Sequence, residues 1–220
     1  MKQGLFMVFL IVLSSCAYKY TRGFIKRELN VSNLINPKTA NSKFQTHGFY
    51  YTEEHIKRAV GETEKVDTFF AKMIFYPDGH FIYNLSVNQG IGTLSQNIEE
   101  TANVLSYIES DSILYNQLSY GNWGYYRLNS DTVKAKFVIR PAEGKWNTVW
   151  RGFELEYLLL NDSTLKRLSS RPIHKMSQFN KQLLQRAEEK KGVQTAHFKY
   201  VENLPEPNPW FMSEPWYHDY

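Results

Sequence analysis

The chain has 220 residues, 42% of them hydrophobic and 15% aromatic, which is enough apolar material for one well-filled domain and too much for a disordered chain. The formal net charge of +4 is spread along the sequence, so it supplies no concentrated basic face for nucleic acid. One cysteine rules out an internal disulfide.

The first sixteen residues read as a leader. Lys2 is a short positive start, Leu5 to Leu13 is an unbroken apolar run, and Ser14 and Ser15 are small. A spanning helix needs about 20 apolar residues, and this run is less than half that, so the pattern fits a secretory signal peptide rather than a membrane span. Leu13-Ser14-Ser15-Cys16 closes the leader with the only cysteine of the chain and resembles the lipobox of bacterial lipoproteins. That resemblance implies removal of residues 1–15 and a diacylglyceryl and acyl-chain (palmitate-type) anchor on Cys16. The implied partner is a membrane. No acidic cluster follows Cys16, so the expected location is the outer membrane, facing the periplasm. Residues 16–45 are then the lipidated cysteine and a tether.

From Thr46 the pattern is that of short strands. Thr46–Thr52 is rich in residues that suit a pleated surface, and is expected to be the first strand. Glu53–Val60 carries acids first and Lys57 and Arg58 later, with Gly61 behind, and is expected to form one or two helical turns. Thr68–Tyr76, Pro77-Asp78-Gly79 and His80–Val87 predict a hairpin, because Pro fixes φ, Asp caps locally and Gly tolerates positive φ. Residues 88–100 read as a polar loop, and 101–119 as a short helix or strand followed by a strand. Asn122–Leu128 and Thr132–Ile139 flank Asn129-Ser130-Asp131. Thr148–Leu160 and Thr164–Ser170 flank Asn161-Asp162-Ser163. Both are expected hairpins.

The period then changes. Ile173, Met176, Phe179, Leu183, Leu184 and Ala187 recur at three and four, predicting an amphipathic helix over 174–191 that packs on the sheet. Thr195–Val201 is a last strand. Residues 202–220 hold four of the eight prolines and two of the five tryptophans, and are expected to be an extended tail that seals the domain or docks on a partner. The expected fold is all-β with one C-terminal helix, an antiparallel meander barrel or half-barrel.

Gly48-Phe49-Tyr50, the Pro77-Asp78-Gly79 hairpin, and Trp123-Gly124-Tyr125-Tyr126 leading to Asp131-Thr132-Val133 resemble the lipocalin-like lipoproteins of bacteria. The resemblance covers residues 46–201 and implies a barrel with an apolar interior. Phe49, Phe75, Phe81, Tyr83, Trp123, Tyr125, Phe137 and Trp150, with Phe153 and Tyr157, are the aromatic set that would line such an interior, either as plain core or around a small apolar ligand or lipid.

Chemistry-bearing clusters are sparse. His47, Glu53, Glu54 and His55 form the densest titratable group, but their spacing matches no zinc motif. Asp78-Gly79-His80 is turn chemistry, and no Gly-x-Ser-x-Gly context supplies a nucleophile beside it. No phosphate loop or dinucleotide fingerprint occurs. The expectation is a non-enzymatic binding module without metal or cofactor. The alternative is a structural or assembly lipoprotein that contacts another envelope protein.

Overall fold

The computed structural model describes residues 44–60, 63–85, 93–139, 151–173 and 194–213. Residues 16–43 of the expected lipidated cysteine and tether, Trp150 and the helix expected over 174–191 lie outside these residues, whereas Phe44, expected in the tether, packs in the barrel interior.

Eight antiparallel strands form a closed barrel in simple sequence order: β1 (Gly48–Val60), β2 (Thr63–Phe75), β3 (His80–Tyr83), β4 (Asn122–Asn129), β5 (Thr132–Ile139), β6 (Arg151–Asn161), β7 (Thr164–Pro172) and β8 (Thr195–Tyr200). The ring shuts where β8 pairs with β1, Gly48 opposite Tyr200 and Tyr51 opposite His197. Closure gives each strand two neighbours, while the β1–β2 hairpin runs on past the residues that β8 and β3 pair with. The meander barrel expected from the sequence is therefore the architecture, in its closed form.

The hairpins rest on the turn residues. Gly79 sits at φ 95° and its amide donates to the Tyr76 carbonyl at 3.0 Å, while an Asp78 oxygen accepts from the His80 amide at 3.0 Å. Ser130 takes φ 54° in the β4–β5 turn. Asn161 Oδ1 accepts from the Ser163 amide at 3.0 Å in the β6–β7 turn.

Two expectations are corrected. Glu53–Val60 is not helical: it continues β1, paired residue by residue with β2 from Glu53 opposite Phe70 to Val60 opposite Thr63. A long cross-strand ladder outweighs a favourable charge order over two turns. Likewise the insertion holds two helices, α1 (Leu94–Tyr107) and α2 (Ser112–Ser119): of the helix or strand expected after 101 the helix is found, but it starts within the expected polar loop, and the strand expected to follow it is α2. Thr93 and Gln96 form a reciprocal capping box at the start of α1, and one Asp111 carboxylate oxygen caps α2 by accepting from the amides of Ile113 and Leu114. Ile98, Leu105, Ile108 and Leu118 turn the apolar side of this insertion onto the barrel.

The sheet has an apolar layer on each face. Inside lie Tyr50, Met73, Phe75, Phe81, Tyr126, Val133, Ala135, Phe137, Leu155, Tyr157, Leu159, Leu165 and Ala196, one or more from every strand, with Phe44. Outside, Phe49, Ile74, Tyr76, Ile82, Trp123, Tyr125 and Val138 pack against the helical insertion and the tail residues Trp210 and Phe211. Uncovered strands carry charge on that outer side instead: Lys134 and Lys136 of β5 face Glu156 and Glu154 of β6 at 3.2 and 3.7 Å, and Arg171 of β7 also meets Glu154. Among the described residues no helix is long and apolar enough to cross a membrane.

Candidate functional site: barrel mouth and basal crevice

Period-two alternation divides the sequence-predicted aromatic set. Phe75, Phe81, Tyr83, Phe137, Phe153 and Tyr157 belong to the interior layer. Phe49, Trp123 and Tyr125 belong to the outer layer, beneath the helices and tail. The structure thus brings together two groups of rings separated by the thickness of one sheet.

Within the barrel the two ends differ. At the end bearing the three tight turns, Phe44 enters ahead of β1 and its ring meets Tyr50, Phe75 and Tyr126 at 5.8, 5.3 and 5.7 Å. Phe75 also contacts Phe81 at 4.7 Å and Tyr157 at 6.5 Å. The Tyr126 hydroxyl donates to the Tyr76 carbonyl at 2.8 Å, and the Tyr157 hydroxyl to Met73 Sδ at 3.0 Å. Burial holds the phenols of Tyr50 and Tyr126 protonated far above the usual tyrosine range. This end is filled.

At the other end Tyr83 closes β3, Phe137 nears the end of β5 and Phe153 nears the start of β6. Their rings form a ladder, Tyr83–Phe137 at 4.6 Å and Phe137–Phe153 at 5.7 Å, both stacked. Phe137 is buried, whereas Tyr83 and Phe153 are half-buried. Gly124 makes room between them on β4. A Cβ there would lie 1.7 Å from the Lys136 carbonyl oxygen, so only glycine lets β4 and β5 approach this closely. On β7, Arg167 stands opposite Tyr157 in the ladder and so shares the interior face.

A second concavity lies outside the barrel, below the β2–β3 turn. It is a crevice of about 570 Å³ walled by Tyr76, Pro77, Asp78, Glu109 and the tail from Glu202 to Pro207, with His47 at its edge. Three stretches far apart in sequence meet here, and the Glu206 amide donates to Glu109 Oε1 at 2.7 Å to hold the tail in place. Burial works to raise the Asp78 carboxyl, but hydrogen bonds from His80, including an Nδ1 contact of 2.6 Å, outweigh it and hold Asp78 below its usual range. Tyr76 is 2% exposed, and its hydroxyl has no hydrogen-bond partner among the described residues. From the sequence, His47 belonged to a different titratable group, Asp78 to turn chemistry and 202–207 to a sealing or docking tail, and nothing joined them to Tyr76 or Glu109. No spacing rule connects positions 76, 109 and 206.

The titratable group around His47 is dispersed: His47 precedes β1 beside the crevice, while Glu53, Glu54 and His55 run along β1 opposite Phe70, Phe69 and Thr68. Among the described residues no three His, Cys, Asp or Glu side chains are grouped to hold a metal ion. No protein-family model, curated protein or solved structure matches the chain.

Proposed function

We propose that this chain is a bacterial lipoprotein, anchored through acylated Cys16 to the periplasmic side of the outer membrane, whose barrel binds a small apolar molecule or lipid at the Tyr83–Phe137–Phe153 mouth. The lipocalin-like resemblance of residues 46–201 agrees with this reading. Its role is carriage or presentation of the ligand, without turnover. The observation that carries the binding reading is the half-buried ring ladder at one end of an apolar closed barrel whose other end is plugged by Phe44. Eight-stranded barrels are wide enough to fill themselves or to hold one small ligand. Here the filled end leaves the mouth as the place where a ligand stacks on the half-buried rings of Tyr83 and Phe153. The anchor reading is supported by a lipobox-like tetrapeptide that contains the only thiol of the chain. One acyl chain binds a bilayer marginally and two or three bind durably.

The test has two arms. Wild-type chain should stay with the membrane fraction through a high-salt wash, and Cys16→Ser should leave it. Retention of the variant, or an intact mass with the leader present and no acyl group, overturns the anchor. For the barrel, the neutral dye 1-N-phenylnaphthylamine should bind the Cys16→Ser protein, and Phe153→Ala should weaken it about three- to tenfold, the worth of one stacking contact. A dye affinity indifferent to Phe153 overturns the mouth. Native mass spectrometry of the same protein, freshly purified, would reveal an endogenous apolar passenger.

A second reading, an assembly role through protein contacts, is favoured by Tyr107, Ile113 and Tyr120, which project from the helical insertion at 49%, 70% and 55% exposure.

A further inference from the structure

We infer that the outer edge of β1 is a self-association surface: two copies of the chain pair their β1 strands antiparallel, centred on Ile56, so that both β1–β2 hairpins join in one continuous sheet. The ladder shows where the edge is open. β1 and β2 pair from Tyr50 opposite Met73 to Val60 opposite Thr63, but β8 pairs with β1 only as far as Tyr51, and β3 pairs with β2 only from Met73 onward. Among the described residues, 52–60 therefore pairs with β2 alone. At about 3.3 Å per residue this stretch runs about 30 Å past the ring, on the side of Tyr83 and the mouth. A two-stranded ribbon is marginal in water until a further strand or other cover joins it.

Charge on a strand edge normally discourages pairing. Here the order of the charges reverses that effect. Residues 52–60 read Thr-Glu-Glu-His-Ile-Lys-Arg-Ala-Val, acids first and bases last. Residues directly opposite in an antiparallel pair share a face, so a two-fold pairing is centred on a residue and not between two. Ile56 is the midpoint of the open stretch. About that centre Glu54 stands opposite Arg58 of the second copy, twice over by symmetry. Ile56 stands opposite Ile56 between those pairs, and Thr52 opposite Val60 at the ends. On the alternate face His55 stands opposite Lys57, and Glu53 is diagonal to that lysine. Opposite charges and β-branched residues in facing positions stabilise a ladder, and like charges destabilise it.

The edge of β2 offers no such match. The Leu85 amide donates to the Lys72 carbonyl at 3.1 Å, so that edge is occupied where it leaves the ring. The rest of it, 63–71, has Asp67 at its midpoint, and the same two-fold pairing would set Asp67 against Asp67. Open length and charge order therefore agree on the β1 edge. A second copy satisfies both, because it brings the same edge in reverse. Backbone hydrogen bonds supply the affinity in such strand addition, and the facing charges fix the register.

The test uses the full chain in detergent with Cys16→Ser, so that an introduced cysteine is its single thiol. Directly opposite residues lie about 4.5–5.5 Å apart at Cα, within disulfide reach. Ile56→Cys should therefore give a disulfide-linked dimer on mild oxidation, and Val66→Cys, on β2, should not. In the Ile56→Cys background, Glu54→Arg should slow dimer formation about tenfold at low salt, and so should Arg58→Glu, because each sets like charges opposite one another twice. Mixing the two variants should restore the rate, since the mixed pair has an acid opposite a base at both places. Recovery on mixing separates a lost contact from a misfolded chain. No Ile56→Cys dimer, a Val66→Cys dimer formed as fast, or a rate that neither charge reversal alters overturns the pairing and leaves the β1 edge to a strand from another protein.

Discussion

At the scale of single residues the most informative side chain is Lys72. It lies on β2 directly before Met73 and so on the outer face, 3% exposed beneath the insertion. Burial lowers its pKa from 10.5 to about 8, and the charge of Glu100 only partly opposes this. Its sign follows from linkage. Below pH 8 the lysine is charged in both states, and the folded protein bears the full cost of burying that charge. Between pH 8 and 10.5 the unfolded chain holds the proton and the folded one does not, so stability rises with pH, by up to about 1.4 kcal/mol per unit. The buried phenols of Tyr50, Tyr76 and Tyr126 act oppositely, but only above about pH 10, where the unfolded tyrosines begin to ionise and the folded ones do not. Chemical denaturation from pH 7 to 10 should show wild type gaining on Lys72→Met, with the variant more stable at pH 7 and the gap closing as pH rises. A constant gap would mean that Lys72 reaches water.

At the scale of elements, legibility tracked how local the causes are. The turns at 77–79, 129–131 and 161–163 could be read because each carries its own φ and side-chain chemistry. Glu53–Val60 could not, since what makes it a strand is its ladder with the first half of β2, Thr63–Phe70, most of which carries no clear strand pattern of its own. The insertion runs against this rule. Ile113 and Tyr115 alternate like a strand, yet the decisive signals are Thr93 with Gln96, and Asp111 ahead of Ile113. Those caps were present in the sequence and are local. They predict that Thr93→Ala frays the first turn of α1 at a cost of about 1 kcal/mol, read as faster amide exchange at 96–98 with β4 and β5 unaffected. Protection unchanged at 96–98 would show that α1 is held by packing alone. The aromatic set was legible as apolar but not as two faces, because an insertion that covers the outside makes both faces of β1–β4 apolar. Counting parity from Phe75 and Phe81 against Tyr76 and Ile82 would have separated them. Nothing local could have exposed the crevice, which depends on the tail returning beneath the β2–β3 turn.

At the scale of the whole molecule one sheet separates two cores, and this separation is itself testable. Phe211 is fully buried in the outer core, with its ring 6.0 Å from Tyr125 and 5.6 Å from Trp210. It follows directly on the stretch whose Pro205, Glu206 and Pro207 wall the crevice. Truncating a buried phenylalanine costs about 3–5 kcal/mol, so Phe211→Ala should lower the thermal midpoint by about 10 °C in a chain of this size. The tail then loses its anchor beyond the crevice, and amide exchange over 202–207 should rise at least tenfold. The interior does not contact Phe211: its layer is built from residues of opposite parity, such as Phe75, Phe81 and Phe137. Dye binding at the mouth should therefore stay within about twofold of wild type at temperatures where the variant is folded. Loss of dye binding in a folded Phe211→Ala protein would show that the sheet transmits strain between its faces.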